Sequence, residues 1–294
     1  MFPKLPHAIR RGLESYEPEH EWRADKLHVS DLAVAIEGDD GKCERQLWLR
    51  LAGVEPPAPT LGRVLMFDHG HRIHARMVEL LDLGLTGGWR IVEVEHPVTI
   101  GHSSPVVGRL DVLLRGPCGQ LVVLDFKTTR GRAFRYLDAP KPMHELQVQS
   151  YAFAVDAHAA VILYVDREGQ NFIQQFNVER YDPRVKSAMG YAEGIRQWAI
   201  WYRVRKDAHL REYGPDYLPP KITVNENKGP DSVKLSLPWQ CQYCDYLDGA
   251  CPGALAPSLR FNGIVGHIHN DDFVPKNGCE TIAPIVRSEL EVSA

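Results

Sequence analysis

The stretch Gln120–Thr129, QLVVLDFKTT, is an apolar, β-branched run that closes on Asp125, Phe126 and Lys127. Side chains alternate faces along a strand. Asp125 and Lys127 therefore share one face, and Phe126 takes the other. A carboxylate and an ammonium at the end of an apolar strand are costly to bury without a purpose. Immediately upstream, Val106–Gly116, VVGRLDVLLRG, offers a second strand with a second carboxylate, Asp111. On it Val107, Arg109, Asp111 and Leu113 share a face. Gly108 in a strand interior marks a bulge or a close backbone approach. The short connection RGPCGQ predicts an antiparallel hairpin. Two acids and a lysine on neighbouring strands suit a divalent-metal site for phosphodiester chemistry.

Working outward, LGRVLMFDHGHRIHARMVELLDLG predicts an amphipathic helix whose Ile73, Met77, Leu80 and Leu81 face a core. His74 lies at the edge of that face. WRIVEVEHPVTI alternates as a strand. Downstream, MHELQVQSYAFAVDAHA predicts a helix with Gln147 and Tyr151 one turn apart. AAVILYVDRE and NFIQQFNVER follow as a buried strand and its partner, then a long helix from about Asp182 to Glu212. Ser30 is placed to cap a short helix starting at Asp31. Residues 1–29 are expected to form an N-terminal arm, and residues 261–294 a loose tail. The proline- and glycine-rich PDYLPPKITVNENKGPDSVKLSLPWQ is expected to be a loop or lid.

At 294 residues, 44% hydrophobic and 24% charged, the chain has the composition of a globular protein. It holds no apolar run long enough to cross a bilayer and no signal-peptide core at its start. The expectation is a cytoplasmic protein (host cytoplasm if phage-encoded) with no membrane partner. The net charge of −4 does not announce a nucleic-acid binder. Metal-site carboxylates weigh on that balance, however, and a local basic patch suffices. Arg130, Arg132, Arg135 and Lys141 cluster just after the key strand. Arg196, Arg203, Arg205, Lys206 and Arg211 interleave with Trp198, Trp201 and Tyr202, a pattern that suits stacking on a single strand or, equally, a solvated helix with its aromatics in the core.

Taken in order, GHRIH ending at His74, VVGRLD ending at Asp111, VVLDFK ending at Lys127 and QVQSY from Gln147 to Tyr151 resemble the PD-(D/E)XK nuclease superfamily, and within it the RecB-like branch. The resemblance implies a mixed α/β fold, with a central mixed β-sheet flanked by helices in a restriction-endonuclease-like core. It implies that Asp111, Asp125 and the Phe126 carbonyl hold Mg²⁺ or Mn²⁺. A nitrogen from His74 would favour Mn²⁺. Lys127 would orient or deprotonate the attacking water, and Gln147 and Tyr151 would support the site or the DNA. Arg130, Arg132 and Arg135 are candidate DNA contacts.

Six cysteines in a chain of this kind point to metal ligands or core positions more than to disulfides. Cys241, Cys244 and Cys251, spaced C-x2-C-x6-C, supply three soft ligands, and Cys43 is the natural fourth. This split resembles the iron–sulfur nucleases of the RecB-like branch, among them CRISPR-associated exonucleases and AddB-type subunits. Those families usually place five residues before the last cysteine. The six found here keep Zn²⁺ open beside a [4Fe–4S] cluster. The expected organisation is a nuclease domain over residues 30–260, with a cysteine-cluster subdomain joining the N- and C-terminal segments. The expected function is a metal-dependent DNA nuclease, an exonuclease on single-stranded or frayed DNA. An endonuclease of the same superfamily, a non-cleaving DNA-binding module and a structural metalloprotein stand as alternatives. Recombination, CRISPR or phage-replication proteins are possible partners, and an oligomer is compatible with the sequence.

Overall fold

The computed structural model describes residues 26–37, 40–56, 61–102, 104–167 and 173–205, together with the backbone of a few strands beyond residue 224. The chain divides into two compact units. One comprises Met1–Ala33 and Ala58–Tyr191, the other Val34–Pro57 and Ala192–Ala294.

The first unit is a six-stranded mixed sheet built from β1 (Leu27–His28), β2 (Arg90–Ile100), β3 (Val106–Arg115), β4 (Leu121–Thr129), β5 (Ala159–Asp166) and β6 (Ile173–Glu179). The expected hairpin is present: β3 and β4 pair antiparallel, and Gly119 takes a positive φ in the turn. β4 and β5 run parallel, which requires a crossover. α3 (Gly131–Arg135) and α4 (Pro142–Ala154) supply it. β5 and β6 return as an antiparallel pair. This is the expected mixed α/β architecture.

β3 is the strand on which the sheet forks. Along one edge it pairs with β2 over its whole length, from Ile100↔Val106 to Arg90↔Arg115. Along the other it pairs with β4 only from Val112↔Leu124 to Arg115↔Leu121. At Val106 and Val107 that edge pairs in parallel with β1 instead. Asp111 and Asp125 stand at the point where β3 and β4 part. Gly108 lies just above. A Cβ there would come within 2.8 Å of Val29 Cγ2 and 2.9 Å of Tyr151 Cε1. The glycine thus marks the close approach expected from the sequence, with the side chains of Tyr151 on α4 and Val29 just after β1 both against it.

The core explains the alternation in β4. Val112, Leu114, Val122, Leu124, Phe126 and Val165 form one buried cluster, and Ile73, Met77, Val78 and Leu81 of α2 (Leu61–Gly84) pack on it. Leu80, expected in this face, is 39% exposed. It sits off the stripe that Ile73, Met77 and Leu81 trace at spacings of four.

Other departures lie at the ends. Leu27 and His28 belong to the sheet although they fall within the expected arm, and Leu27 is buried. The helix expected to start at Asp31 is a 3-10 turn, Val29–Ala35, so Ser30 lies inside it. Asp31 accepts the His28 N–H at 2.8 Å and secures the turn to β1. The long helix, α5 (Asp182–Arg205), is described to Arg205, and residues 206–212 lie outside the described residues. In the expected lid, Asn225–Lys228 and Val233–Ser236 form a hairpin. The expected tail carries strands Ile264–His269, Asp272–Val274 and Glu291–Val292, which join Leu255–Phe261 in a four-stranded antiparallel sheet.

In the second unit, Cys43 is the N-cap of α1 (Glu44–Leu51), in extended conformation, and its carbonyl accepts the Leu47 N–H at 3.3 Å. Leu47, Trp48 and Leu51 are buried. Trp48 meets Trp198 edge-on, with ring centroids 6.0 Å apart, and Arg196 pairs with Glu193. Trp198 is therefore a packing residue. No described helix is long and apolar enough to cross a membrane.

Candidate active site

The fork brings together residues that lie far apart in sequence. Where β3 leaves β4, the Phe126 N–H points into the gap. The Asp111 carboxylate accepts it at 2.7 Å, in place of a strand carbonyl. Lys127, two residues past Asp125 on the same face, places Nζ 2.8 Å from Asp125 Oδ2. The same ammonium donates to Gln147 Oε1 at 3.0 Å, and Gln147 Nε2 donates to the Tyr151 hydroxyl at 3.1 Å. From α2, His74 Nδ1 lies 3.4 Å from Asp111 Oδ2, with its ring against that of Phe126. All the core residues expected from the sequence (His74, Asp111, Asp125, Phe126, Lys127, Gln147 and Tyr151) thus lie at this one place.

The electrostatics follow from burial. Burial, and then the neighbouring Asp125 carboxylate, push Asp111 up to about 7. Burial disfavours the Lys127 charge, but Asp125 and Asp111 outweigh it and hold Lys127 above the ordinary lysine value. Lys127 is thus an ammonium at neutral pH, a donor and not a base. Burial outweighs the pull of Asp125 and holds His74 below the ordinary histidine value, so its ring is neutral and free to ligate. Burial raises the Tyr151 phenol, so it remains a neutral hydrogen-bonding group.

Two features bear on a cation. Among the described residues, no three His, Cys, Asp or Glu side chains are grouped closely enough to hold an ion by themselves. Yet Asp125 is almost fully buried, and its Oδ2, although beside the Lys127 ammonium, has no aligned hydrogen-bond donor. Two carboxylates and a backbone carbonyl are the hard oxygen donors that Mg²⁺ and Mn²⁺ prefer, and the buried Asp125 carboxylate is held with the Lys127 ammonium 2.8 Å away. The donor set fits a divalent ion.

Sequence reading missed several neighbours. Tyr164 on β5 is opposite Lys127 in register. Its hydroxyl accepts the Lys141 N–H at 3.0 Å and meets His144 Nδ1 at 2.8 Å, pinning the start of α4. Arg184 holds the same helix from outside through Glu145 at 2.6 Å. Glu95 and Arg109 line a cavity of about 400 Å³ together with His71, His74, Asp111 and Phe126. Arg109 had a signal, since it shares a strand face with Asp111. Glu95 had none. Of the basic residues expected to contact DNA, Arg130 is exposed as the N-cap of α3. Arg135 is exposed on that helix, with its Nε 3.5 Å from the Gly131 carbonyl. The Arg132 side chain and Cys241, Cys244 and Cys251 lie outside the described residues.

A forked sheet with two acids and a lysine at the parting of its strands defines a class of phosphodiester-cleaving fold. A family model described as the PD-(D/E)XK nuclease superfamily matches residues 29–252, and the chain belongs to that superfamily. No curated protein matches. Among solved structures, the chain is similar to an alkaline exonuclease, LHK-Exo, from Laribacter hongkongensis. It shows 17% identity to it over 64% of this chain and 97% of that one, with a TM-score of 0.45. The same exonuclease in complex with dAMP matches at 13% identity over 64% and 97%, with a TM-score of 0.48. A phage-related exonuclease from Haemophilus somnus 129PT matches at 10% identity over 67% and 100%, with a TM-score of 0.44.

Proposed function

We propose that this chain is a Mg²⁺- or Mn²⁺-dependent deoxyribonuclease of the RecB-like branch that hydrolyses single-stranded or frayed DNA from ends. The observation that carries the reading is the convergence of Asp111, Asp125 and Lys127 at the fork, with Lys127 held by Gln147. Asp111, Asp125 and the Phe126 carbonyl would hold the divalent ion, with His74 as a nitrogen ligand. Bound there, the ion supplies charge neutralisation for the phosphoryl group and activation of water.

The chain's own residues do the rest. The attacking water forms a bond to phosphorus and releases a proton to solvent, while the bond to the leaving sugar oxygen breaks and that oxygen takes up a proton in turn. Lys127, positively charged and fixed by Asp125 and Gln147, donates to the water and offsets the charge that builds on the phosphoryl oxygens. The sequence expectation left Lys127 open as a base, but its raised pKa supports the donor role. Gln147 and Tyr151 hold the ammonium in place. Arg130, Arg132 and Arg135, which follow β4 in the chain, would contact the backbone of the DNA.

Incubation with end-labelled linear single strands and with closed circles of the same sequence, each in Mg²⁺ and in Mn²⁺, tests this reading. Degradation of the linear strand alone is the expected result. Equal cutting of the circle would replace the exonuclease by an endonuclease, and no cutting with either ion would leave a DNA-binding module.

A second element of the proposal is a cysteine centre formed by Cys43, Cys241, Cys244 and Cys251, holding a [4Fe–4S] cluster or Zn²⁺. It is supported by the grouping of Val34–Pro57 with Ala192–Ala294 in one unit and by the ligand spacing. A brown protein with broad visible absorption after anaerobic purification is expected for the cluster. A colourless protein carrying one equivalent of zinc would decide for the alternative.

A further inference from the structure

Two residues other than glycine adopt a positive φ among those described, Glu95 at 53° and Asp156 at 54°. Asp156 has an ordinary reason. It follows the end of α4, where the Ala157 N–H reaches the Ala152 carbonyl at 2.8 Å and closes the helix. Glu95 has no such reason. It lies within β2, between Val94↔Val112 and His96↔Leu110, hence across from Asp111. The register of β2 on β3 also shifts nearby, between Ile91 and Glu93. A bulged strand with a strained residue re-aims a side chain. Here the Glu95 side chain lines the same cavity as His74 and Asp111.

Its carboxylate lies 2.7 Å from Arg109 Nε, and Arg109 is 65% exposed. The closest contact of the pair is at Nε, and among the described residues the two terminal nitrogens of the guanidinium have no partner besides Glu95. An Arg fixed through Nε presents those two nitrogens as a rigid fork, the geometry that takes two oxygens of a phosphate. Arg109 stands two residues before Asp111 on the same face of β3, so the fork opens beside the carboxylates at the parting of the strands.

We propose that Arg109 binds a backbone phosphate of the substrate next to the one being cleaved, and that Glu95 is a positioning residue that holds the guanidinium for it. This rests on the nuclease reading above. It assigns to the open side of the cavity a specific anion site, used by any phosphodiester chain that enters it.

The test uses the full chain with a linear single-stranded oligonucleotide. Binding is measured by anisotropy in Ca²⁺ over a range of salt, and turnover is measured in Mn²⁺. Arg109→Ala is expected to weaken binding roughly tenfold, to raise KM with little change in kcat, and to lower the salt slope by about one phosphate contact. Arg109→Lys restores the slope, since its charge remains, but not the full affinity, since the fork is lost. Glu95→Ala weakens binding in the wild-type background. In the Arg109→Ala background it strengthens binding, because it then removes a lone anion that faces the DNA. This reversal of sign is one that a pair serving only to brace the strands would not produce. An unchanged salt slope in Arg109→Ala, or a loss from Glu95→Ala of the same size in both backgrounds, overturns the proposal. Neither result touches the nuclease reading, which stands or falls on cleavage by the wild type and its loss in Lys127→Ala. The binding arm needs no cleavage and reads the phosphate site by itself.

Discussion

The two walls of the site are built differently. On one side, Lys127, Gln147 and Tyr151 form a continuous chain of hydrogen bonds between β4 and α4, and the Lys127 side chain is only 18% exposed. Tyr164 and Arg184 brace that helix at its start and from outside. On the other side, His74, Glu95 and Arg109 come from three separate elements, and the last two are 48% and 65% exposed. The closed wall has its partners already, and its geometry is fixed before substrate arrives. The open wall carries groups whose remaining valences face a cavity. A site that must hold one ammonium still and admit a long polyanion needs both kinds.

The largest effect should come from breaking the closed wall at its charge. Lys127→Ala is expected to lower kcat by about 10²–10³-fold, as loss of a preorganised donor does elsewhere. Binding of DNA in Ca²⁺ should persist, as it should for Asp111→Ala, whose cleavage should fall at least as far. Single-turnover assays and anisotropy measure the two separately, and cutting at the wild-type rate in either variant would remove the fork from the mechanism.

Next in size is the junction of the two walls. Gly108→Ala places a methyl against Val29 and the Tyr151 ring at under 3 Å. A cost of about 1–3 kcal/mol in stability is expected, measured by urea unfolding. A smaller side chain at residue 29, as in Val29→Ala, should recover part of it.

Gln147→Ala is a gentler test. It leaves the Lys127 charge and removes one of the groups that orient it, so kcat should fall roughly tenfold with KM unchanged, the effect of one hydrogen bond to a charged group. A rise in KM instead would move Gln147 from the closed wall to the substrate.

An effect of a different kind is expected in the pH dependence of the metal-free protein. Asp111 titrates at about 7 in the folded chain, against 3.8 ordinarily. The folded state therefore holds a proton that the unfolded state has released over that interval. The associated stability is fully present below about pH 4 and lost as pH rises through about 7. In EDTA, melting temperature should decline across this window. Asp111→Asn, which keeps an acceptor for the Phe126 N–H, should flatten the decline and melt above wild type at pH 8. An unchanged slope would place the raised pKa on another group.

Much of the closed wall was legible in the chain. The Asp-Phe-Lys ending of β4 and the one-turn spacing of Gln147 and Tyr151 are local patterns, and periodicity reads local patterns well. The hairpin followed from a short glycine-bearing connection. The fork was not legible. β1 is two residues long and pairs in parallel with a strand far along the chain, which leaves no periodic trace. Nor was Glu95 legible as a site residue. Its strand alternates regularly on paper, and no glycine announces the positive φ that turns it into the cavity. Leu80 shows the same limit in a helix, because several apolar positions fit the stripe and packing chooses among them. Tyr164 was hidden in a run of apolar residues, with nothing to mark its hydroxyl as an anchor.

The crossover between β4 and β5 has a consequence for how the molecule comes to exist. Asp125, Lys127, Gln147 and Tyr151 lie within one contiguous β-α-β unit, residues 121–166. Contacts between near neighbours close at small entropic cost and form early, whereas those that span a long loop wait. β1 must cross from residue 27 to residue 106 before it can fill the fork. The rigid half of the site should therefore assemble early on the folding pathway and open late in hydrogen exchange, whereas the fork beside Gly108 should be filled only when β1 docks.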